Sequence, residues 1–324
     1  MACQSSDGNT KAGWFKNEIV YHIFDFRGPG AGKSFEEVFY DKGEGGVYRW
    51  PDGDSYKGGW NGEGPHGYGT YRYADGSVWE GQYENGYRVG KGKITTPDGD
   101  VYEGEWNDEG PHGYGMTKYA DGRTDEGLYE NGHRTGKGKI TCPEGLVYEG
   151  GRNDEGPHGY GIVKCADGST EEGQYENGHR AGKGKFTWPS GEVYEGGWND
   201  EGPHGYGIWK CANGRTDEGL YENGLRTGKG KMTWPDGKVY EGGWNPEGEH
   251  GYGIWKFADG TVKEGWWENG KWAGKGKITW PDGEVYEGGW NDKGPHGYGI
   301  WKYTDGTVKE GWWENGKWVK KKQV

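Results

Sequence analysis

The sequence predicts an all-β protein, an elongated single-layer antiparallel meander of stacked β-hairpins. Two features of composition indicate this class: 72 of the 324 residues are glycine, and the chain contains 20 Trp and 24 Tyr. A glycine excess by itself is typical of disorder, but disordered chains avoid aromatic residues. The third observation is that the glycines and the aromatic rings recur together at a fixed interval, which indicates a repeat architecture.

The repeat unit spans 46 residues and divides into two similar halves of 23 residues. About twelve of these 23-residue repeats follow one another. We therefore predict a non-repeat N-terminal cap over residues 1–45, a repeat array over 46–319 and a basic tail over 320–324. Positions within a repeat are numbered 1 to 23, and repeats that open with the recurring tyrosine are called odd, the others even. The six recurring tyrosines are Tyr56, Tyr102, Tyr148, Tyr194, Tyr240 and Tyr286.

The first strand of each repeat follows from the alternation of ring and glycine at its start. In Tyr194–Trp198 the rings occupy positions 1 and 5 and a glycine occupies position 3. A period of two is typical of a β-strand and places these residues on one face of the sheet, here named the ring face. We expect the glycines at positions 3, 12 and 14 to leave room for rings to lie flat on the backbone.

The turns are predicted by short motifs between the strands. Asn131-Gly132 and its counterparts in the even repeats indicate two-residue hairpin turns. The segment from Asn107 to Gly110 in an odd repeat indicates a four-residue loop, and Pro235-Asp236-Gly237 indicates a three-residue loop between repeats. These lengths pair position 1 with 14, 3 with 12 and 5 with 10, and position 16 with position 1 of the next repeat. The odd-length loop keeps the rings on one face although the repeat has an odd number of residues.

Charge and the N-terminus limit the classes of partner and the location. The formal net charge of −13 argues against a nucleic-acid partner and against bulk electrostatic attraction to anionic membranes. No apolar run is long enough for a membrane-spanning helix, and the N-terminus lacks the apolar core of a secretory signal. We therefore expect a cytoplasmic protein, with association to the cytoskeleton or to a membrane left open.

No motif predicts catalysis, a cofactor or a metal, so we expect a protein that is not an enzyme. The six His-Gly-Tyr-Gly motifs, from His66 to His296, lie four strands apart, about 19 Å, and cannot share a metal ion. We interpret these histidines as structural. The segment Arg27–Ser34 resembles a phosphate-binding loop, but Arg27 stands where that loop requires its first glycine, so this segment is interpreted as part of the cap.

The repeat resembles the MORN repeat, most clearly in Tyr102–Trp106 with the following His112–Gly115. The resemblance extends over residues 46 to 318 or so and implies a single-layer sheet of hairpins that acts as a scaffold or tether. It further implies that a partner helix, an extended peptide or a second copy of the chain binds along an aromatic groove. Several positions depart from the family pattern: Asp125, Glu171, Asp217, Lys263 and Lys309 replace the opening tyrosine, and Arg152 replaces a tryptophan.

The candidate anchors for a protein partner are the rings at positions 5 and 16 in the C-terminal half of the chain. A single-layer sheet leaves its aromatic face without a second sheet, and large apolar surfaces mark interaction sites. Tryptophan is also frequent among the residues that dominate binding energy. The predicted anchors are Trp198, Trp209, Trp244, Trp255, Trp290 and Trp301.

A second interpretation is a phosphoinositide-binding or membrane-tethering module that uses paired lysines. The predicted register places Lys137 opposite Glu126 and Lys229 opposite Glu218, which favours cross-strand charge pairs over lipid contacts. A third interpretation, a secreted choline- or glycan-binding hairpin solenoid, requires a signal sequence that the N-terminus lacks. The lysines considered for anionic lipid are Lys137, Lys139, Lys229, Lys231, Lys320, Lys321 and Lys322.

Overall fold

The computed structural model describes residues 46–291 and 293–319. These residues divide into two compact units, an N-terminal unit over 46–180 and a C-terminal unit over 181–319. The predicted cap, with its segment that resembles a phosphate loop, and the predicted basic tail with Lys320, Lys321 and Lys322 lie outside the described residues.

The N-terminal unit consists of short strands joined by tight turns. Its strands are β1 (Val47–Arg49), β2 (Ser55–Asn61), β3 (Gly64–Arg72), β4 (Val78–Glu84), β5 (Tyr87–Thr95), β6 (Val101–Asn107), β7 (Gly110–Lys118), β8 (Thr124–Glu130), β9 (His133–Thr141), β10 (Val147–Asn153), β11 (Gly156–Lys164) and β12 (Thr170–Glu176).

The C-terminal unit repeats the same plan, and its first strand begins two residues before the boundary. Its strands are β13 (His179–Thr187), β14 (Val193–Asn199), β15 (Gly202–Lys210), β16 (Thr216–Glu222), β17 (Leu225–Thr233), β18 (Val239–Asn245), β19 (Gly248–Lys256), β20 (Val262–Glu268), β21 (Lys271–Thr279), β22 (Val285–Asn291), β23 (Gly294–Lys302), β24 (Val308–Glu314) and β25 (Lys317–Val319).

Each unit is an antiparallel meander in which every strand pairs with the strand that follows it. The ladder runs from β1 to β12 in the N-terminal unit. It runs from β13 to β25 in the C-terminal unit. The predicted all-β class and the predicted meander of hairpins are therefore confirmed.

The turns follow the predicted chemistry, with one difference. Asn131 has a φ of +51°, as the first position of a two-residue hairpin turn with mirror-image geometry requires. The three-residue loop is closed by hydrogen bonds from the Thr96 amide to the Asp100 carbonyl (2.9 Å) and from the Gly99 amide to the Thr96 carbonyl (3.0 Å). In the odd repeats the strands continue to Asn107 and Gly110, which pair directly. The predicted four-residue loop is therefore a two-residue turn.

The predicted pairing of the two strands within a repeat holds near the turn but is wrong by two residues at positions 1 to 3. Tyr129 at position 5 pairs with Arg134 at position 10, as predicted, but Gly127 at position 3 pairs with Gly138 at position 14. The cause is an irregularity in β9 that contains Gly136, whose φ of +62° belongs to the left-handed region. This glycine at position 12 therefore supplies a backbone conformation, and it is not a slot beneath a ring.

The core of each unit is a layer of tyrosines that lie directly on the sheet. Tyr102, at position 1, is 1% exposed, and a Cβ atom on Gly104 or Gly115 would collide with its ring. The hydroxyl of Tyr102 donates to the carbonyl of Glu105 (3.3 Å). The predicted role of the glycines at positions 3 and 14 is therefore confirmed. The other tyrosines of this base layer, all fully buried, are Tyr56, Tyr148, Tyr194, Tyr240 and Tyr286.

Candidate functional site

The ring face carries an upper layer of side chains above and beside the base layer. In the C-terminal unit this layer contains stacked indole pairs next to the three-residue loops. Each pair joins a tryptophan at position 18 of an even repeat to one at position 16 of the next odd repeat. The pairs are Trp188–Trp209 (ring centroids 4.7 Å apart), Trp234–Trp255 (4.8 Å) and Trp280–Trp301 (4.9 Å).

The stacks continue along the face of the unit toward its C-terminal end. Phe257 stacks on Trp255 with centroids 5.6 Å apart, and Tyr303 stacks on Trp301 at 5.5 Å. The indole nitrogen of Trp301 also donates to the Glu284 carboxylate (3.1 Å). These rings hold one another in place, so the face presents a pre-ordered apolar stripe.

The six predicted anchor tryptophans fall into two rows. Trp209, Trp255 and Trp301 are half-buried in the stacks beside the three-residue loops, and the others lie near the two-residue turns. Trp198 is 7% exposed and packs edge-on against Tyr194. The ring centroid of Trp244 lies 3.8 Å from the guanidinium carbon of Arg226. Trp290 stacks on Trp272 with ring centroids 4.7 Å apart. Five of the six indoles are thus partly open on the ring face.

The same positions of the N-terminal unit hold smaller side chains. Thr96 and Thr117 replace the second stack, and Cys142 and Val163 replace the third. The Thr117 hydroxyl lies 3.3 Å from the Tyr129 hydroxyl and is almost fully buried. Only the first stack of this unit keeps its rings, with Trp50 beside Tyr71. The N-terminal unit therefore lacks a continuous aromatic stripe.

A second row of sites lies at position 1 of the even repeats, where acidic residues take the place of tyrosine. Asp125 is buried between two arginines, with Arg134 Nε 2.8 Å from one carboxylate oxygen and Arg152 bonded to the other. The guanidinium of Arg152 covers Gly138, where a base-layer ring would otherwise lie. A comparison of the repeats with one another could have predicted this pairing, because an arginine stands at position 10 of every repeat that opens with an acid.

Two further acid–arginine clusters repeat this arrangement. Glu171 is bonded to Arg180 and accepts a hydrogen bond from the Tyr175 hydroxyl (2.9 Å). Asp217 contacts Arg215 (3.1 Å) and lies 3.9 Å from Arg226. Burial raises the pKa of Asp217, and the two arginines oppose that shift.

The last two even repeats carry a lysine at this position, without an acid. Lys263 lies between Trp255 and Ile278 in the register, and Lys309 pairs with Trp301. The ammonium of Lys263 lies 5.3 Å from the Phe257 centroid and 5.6 Å from that of Trp272, and the ammonium of Lys309 lies 5.0 Å from the centroid of Tyr303. Burial lowers the pKa of Lys263. Among residues 46–291 and 293–319, neither lysine has a carboxylate within ion-pair distance.

The lysines considered for lipid binding that the structure describes, Lys137, Lys139, Lys229 and Lys231, lie on the opposite face of the sheet, named the outer face. The corrected register places Lys139, not Lys137, opposite Glu126, and the strand on its other side places Glu149 next to it, 4.0 Å away. Lys137 pairs with Gly151. Likewise, Glu218 pairs with Lys231 and Lys229 pairs with Gly243. The second lysine of each pair, Lys139 or Lys231, therefore lies between glutamates on the two neighbouring strands, which offset its charge.

The outer face also carries exposed tyrosines that the sequence interpretation missed. Each occupies position 13 of an odd repeat, within the His-Gly-Tyr-Gly motif. Tyr114 donates from its hydroxyl to Glu126 (2.9 Å) and pairs across the strands with Leu128. The signal was available, because alternation along the strand places position 13 on the face opposite the glycine at position 14, which lies beneath a base-layer ring. The six residues, 44–63% exposed, are Tyr68, Tyr114, Tyr160, Tyr206, Tyr252 and Tyr298.

The histidines of the same motif lie at the two-residue turns. Asn107 donates to the Asn131 side chain (2.8 Å), and His112 Nδ1 lies 3.2 Å from the Asn107 amide nitrogen. This arrangement recurs along both units, as the structural interpretation of the histidines predicts. The described part of the chain holds no cluster of three or more residues that could ligate a metal, and none of it forms a helix able to cross a bilayer.

A family model described as MORN repeat matches most of this chain. A search of curated proteins finds no significant match. The matched residues are 46–55, 56–78, 79–101, 102–122, 126–147, 157–170, 172–193, 194–214, 218–239, 240–262, 264–285 and 286–308.

Solved structures with some likeness to the chain are distant. The TCP10 domain of Danio rerio CPAP in complex with a peptide of Danio rerio STIL is 14% identical, over 78% of this chain and 97% of that one, with a TM-score of 0.28. The SAS-4 (dCPAP) TCP domain of Drosophila melanogaster, in complex with a proline-rich motif of Ana2, is 11% identical over 53% and 87%, with a TM-score of 0.32. A virginiamycin B lyase from Staphylococcus aureus is 13% identical over 79% and 88%, with a TM-score of 0.14. These TM-scores are too low to support an argument about fold or function.

Proposed function

Because this chain belongs to the MORN-repeat family, we propose that it is a non-enzymatic interaction scaffold whose C-terminal unit binds a helix of a protein partner. The observation that carries this proposal is the stripe of half-buried, stacked indoles around Trp209, Trp255 and Trp301. Stacked rings lose little side-chain freedom when a partner binds, so they supply contact area at a low entropic cost. The stripe therefore has the properties of a protein-binding surface.

Within the described residues of the C-terminal unit, no second sheet covers the ring face. The strands of that unit form one continuous ladder, and its described residues contain no other element that packs over the stacks. Contiguous apolar surface of this kind marks interaction sites, and tryptophans dominate their binding energy. The N-terminal unit, with Thr117 and Val163 at the equivalent positions, offers much less of such surface.

The proposed occupant is an amphipathic α-helix. The backbone groups of the interior strands are used in the ladder, so the ring face offers side chains but few backbone hydrogen-bond partners. An extended peptide on this face would leave its own amides and carbonyls without partners from the protein. A helix satisfies its backbone internally and can place an apolar stripe against the indoles.

The test is selection of binders from a displayed library of helical peptides against the purified full chain. Enriched peptides are then titrated against the double variant Trp255→Val, Trp301→Thr, which introduces residues that the N-terminal unit uses at the same position. We expect the affinity of these peptides to fall at least about tenfold, since each truncated anchor costs about 1–2 kcal/mol or more. Enriched peptides that bind the double variant as tightly as the wild-type chain would overturn the proposal.

A matched control lies on the outer face of the neighbouring strands β20 and β24. Trp266→Val, Trp312→Thr removes two indoles that are 58% and 57% exposed without altering the stacks. This variant should retain the affinity of the wild-type chain. Far-UV circular dichroism confirms that both double variants keep the β-sheet, and a more conservative pair, Trp255→Phe, Trp301→Phe, tests the ring face if the first variant unfolds.

A further inference from the structure

We infer that the partner helix is acidic and places two carboxylates, about eleven or fourteen residues apart on one helix face, against Lys263 and Lys309. This inference rests on the proposed function and names the chemistry of the partner. It starts from a contrast within one position of the repeat. The even repeats before Lys263 that open with an acid keep that acid paired with arginine inside the protein, whereas the last two present a lysine that has no carboxylate partner among the residues that the structure describes.

The two lysines belong to the same surface as the indole stripe. Lys263 and Lys309 pair in the sheet with Trp255 and Trp301, the second members of the second and third stacks. The carboxylate of the same region, Glu284, already accepts a hydrogen bond from Trp301. A partner that covers the stripe therefore also covers both ammonium groups and removes water from them. This desolvation is unfavourable unless the partner places an opposite charge next to each lysine.

The spacing of the lysines sets the spacing of the acids. Lys263 is in β20 and Lys309 is in β24, four strands further on, which separates them by about 19 Å. An α-helix rises about 1.5 Å per residue and completes a turn in about 3.6 residues. Two acids on the same helix face therefore come close to this distance when they are about eleven or fourteen residues apart, a rise of about 17 or 21 Å. Apolar residues between the two acids would then face the stripe at the usual helical spacing.

The surroundings of the lysines strengthen such pairs. Lys263 is half-buried among Phe257 and Trp272, and Lys309 lies over Tyr303. A carboxylate that docks there is partly shielded from water, and charge-assisted hydrogen bonds are stronger in such an environment than in bulk solvent. Acidic residues on the partner would therefore select this end of the ring face over the rest of the chain.

The experiment uses the same helical peptide library on the full chain. Peptides enriched on the wild-type chain should carry Asp or Glu about eleven or fourteen residues apart, and their affinity should fall with added salt. Their affinity for the variant Lys263→Met, Lys309→Met should drop about tenfold or more. The matched control is Lys229→Met, Lys275→Met, which removes two outer-face lysines at the same 46-residue spacing and should change nothing.

A second, more conservative variant removes the positive charges of Lys263 and Lys309. Lys263→Gln, Lys309→Gln keeps two long polar side chains and removes only the charges, and it should fold and lose the acidic peptides. The inference is overturned if enriched peptides lack the acidic pair, or if they bind the lysine variants unchanged while the variant Trp255→Val, Trp301→Thr weakens them. That outcome leaves the proposed function intact, whereas insensitivity to the tryptophan variant overturns the proposed function itself.

Discussion

The two units share a backbone and a base layer, and they differ in what lies above it. Both units lay tyrosines such as Tyr102 and Tyr240 on paired glycines. In the N-terminal unit the upper layer is completed by buried ion pairs around Asp125 and by small residues such as Val163. In the last repeats of the C-terminal unit it consists of stacked indoles and of Lys263 and Lys309.

This difference separates the residues that build the fold in both units from those that vary between the units and that we propose for binding. The base-layer tyrosine recurs in every odd repeat, and the glycines at positions 3 and 14 recur in nearly every repeat, because the core of the sheet is built from them. The upper layer can vary because the sheet is already held by the ladder and the base layer. The N-terminal unit pairs the acids of its upper layer with arginines, whereas the last repeats of the C-terminal unit leave stacked indoles half-buried, which is the surface proposed above for a partner.

The largest predicted effect tests whether the base layer is common to both units. Burial raises the pKa of Tyr56, in the N-terminal unit, and of Tyr286, in the C-terminal unit, to about 12. The folded state therefore holds protons that the unfolded state loses near pH 10, so the free energy of unfolding falls as the pH rises from about 10 to 12. Both units should lose their β-sheet in this window, monitored by far-UV circular dichroism together with tyrosine absorbance. Tyrosines that all titrate near pH 10 with an intact sheet would contradict the shared base layer.

The next prediction concerns the buried carboxylate of Asp125 in the N-terminal unit, which is 2% exposed. Asp125→Ala leaves Arg134 and Arg152 buried without their shared carboxylate, which should reduce the free energy of unfolding by about 3–5 kcal/mol. Urea unfolding measures the change. The control is Lys309→Ala at the same position of a later repeat, where the exposed side chain should contribute within about 0.5 kcal/mol. Equal effects of the two substitutions would mean that the units do not differ in this respect.

A smaller effect should be the same in both units. Gly115→Ala and Gly253→Ala each place a methyl group into a base-layer ring, that of Tyr102 and of Tyr240 respectively. Overpacking of this kind typically costs about 1–3 kcal/mol, and we expect the two substitutions to agree within about 0.5 kcal/mol in urea unfolding. Gly62→Ala serves as the control, because nothing lies within 4 Å of a Cβ at that turn. A large difference between the first two variants would show that the base layers are not equivalent.

Most of the fold could be predicted because its determinants are local. Asn131-Gly132 sets a turn type, and the alternation of rings and glycines sets the faces of each strand. The strand register at positions 1 to 3 could not be predicted from the pattern of rings, because a shift of two residues keeps every side chain on its original face. Gly136 is compatible both with a slot under a ring and with the left-handed conformation, and only the pairing of Gly127 with Gly138 distinguishes them.

The candidate site could be predicted only in outline. Alternation places Trp198 and Trp244 on the ring face, but their exposure depends on neighbours from other strands. Arg226 covers part of Trp244, and Trp198 packs into the core. The sequence also contains the coincidence of Asp125 with Arg134, but the contribution of Arg152, from the following repeat, depends on how adjacent hairpins pack. Contacts across repeats are the part of the site that local patterns do not specify.

The smallest predicted effect concerns the outer face, where the two units have the same design. The Tyr160 hydroxyl donates to Glu172 (3.0 Å) on an exposed surface, where water competes for the same groups. Tyr160→Phe should therefore change the free energy of unfolding by less than about 0.5 kcal/mol, and Tyr252→Phe in the C-terminal unit should do the same. The buried counterpart Tyr148→Phe removes a hydroxyl that donates to the Gly151 carbonyl (2.6 Å), and it should cost about 0.5–1.5 kcal/mol because that carbonyl loses its phenol donor. Urea unfolding of the three variants measures this order, and an outer-face cost as large as that of Tyr148→Phe would show that the exposed tyrosines also hold the fold together.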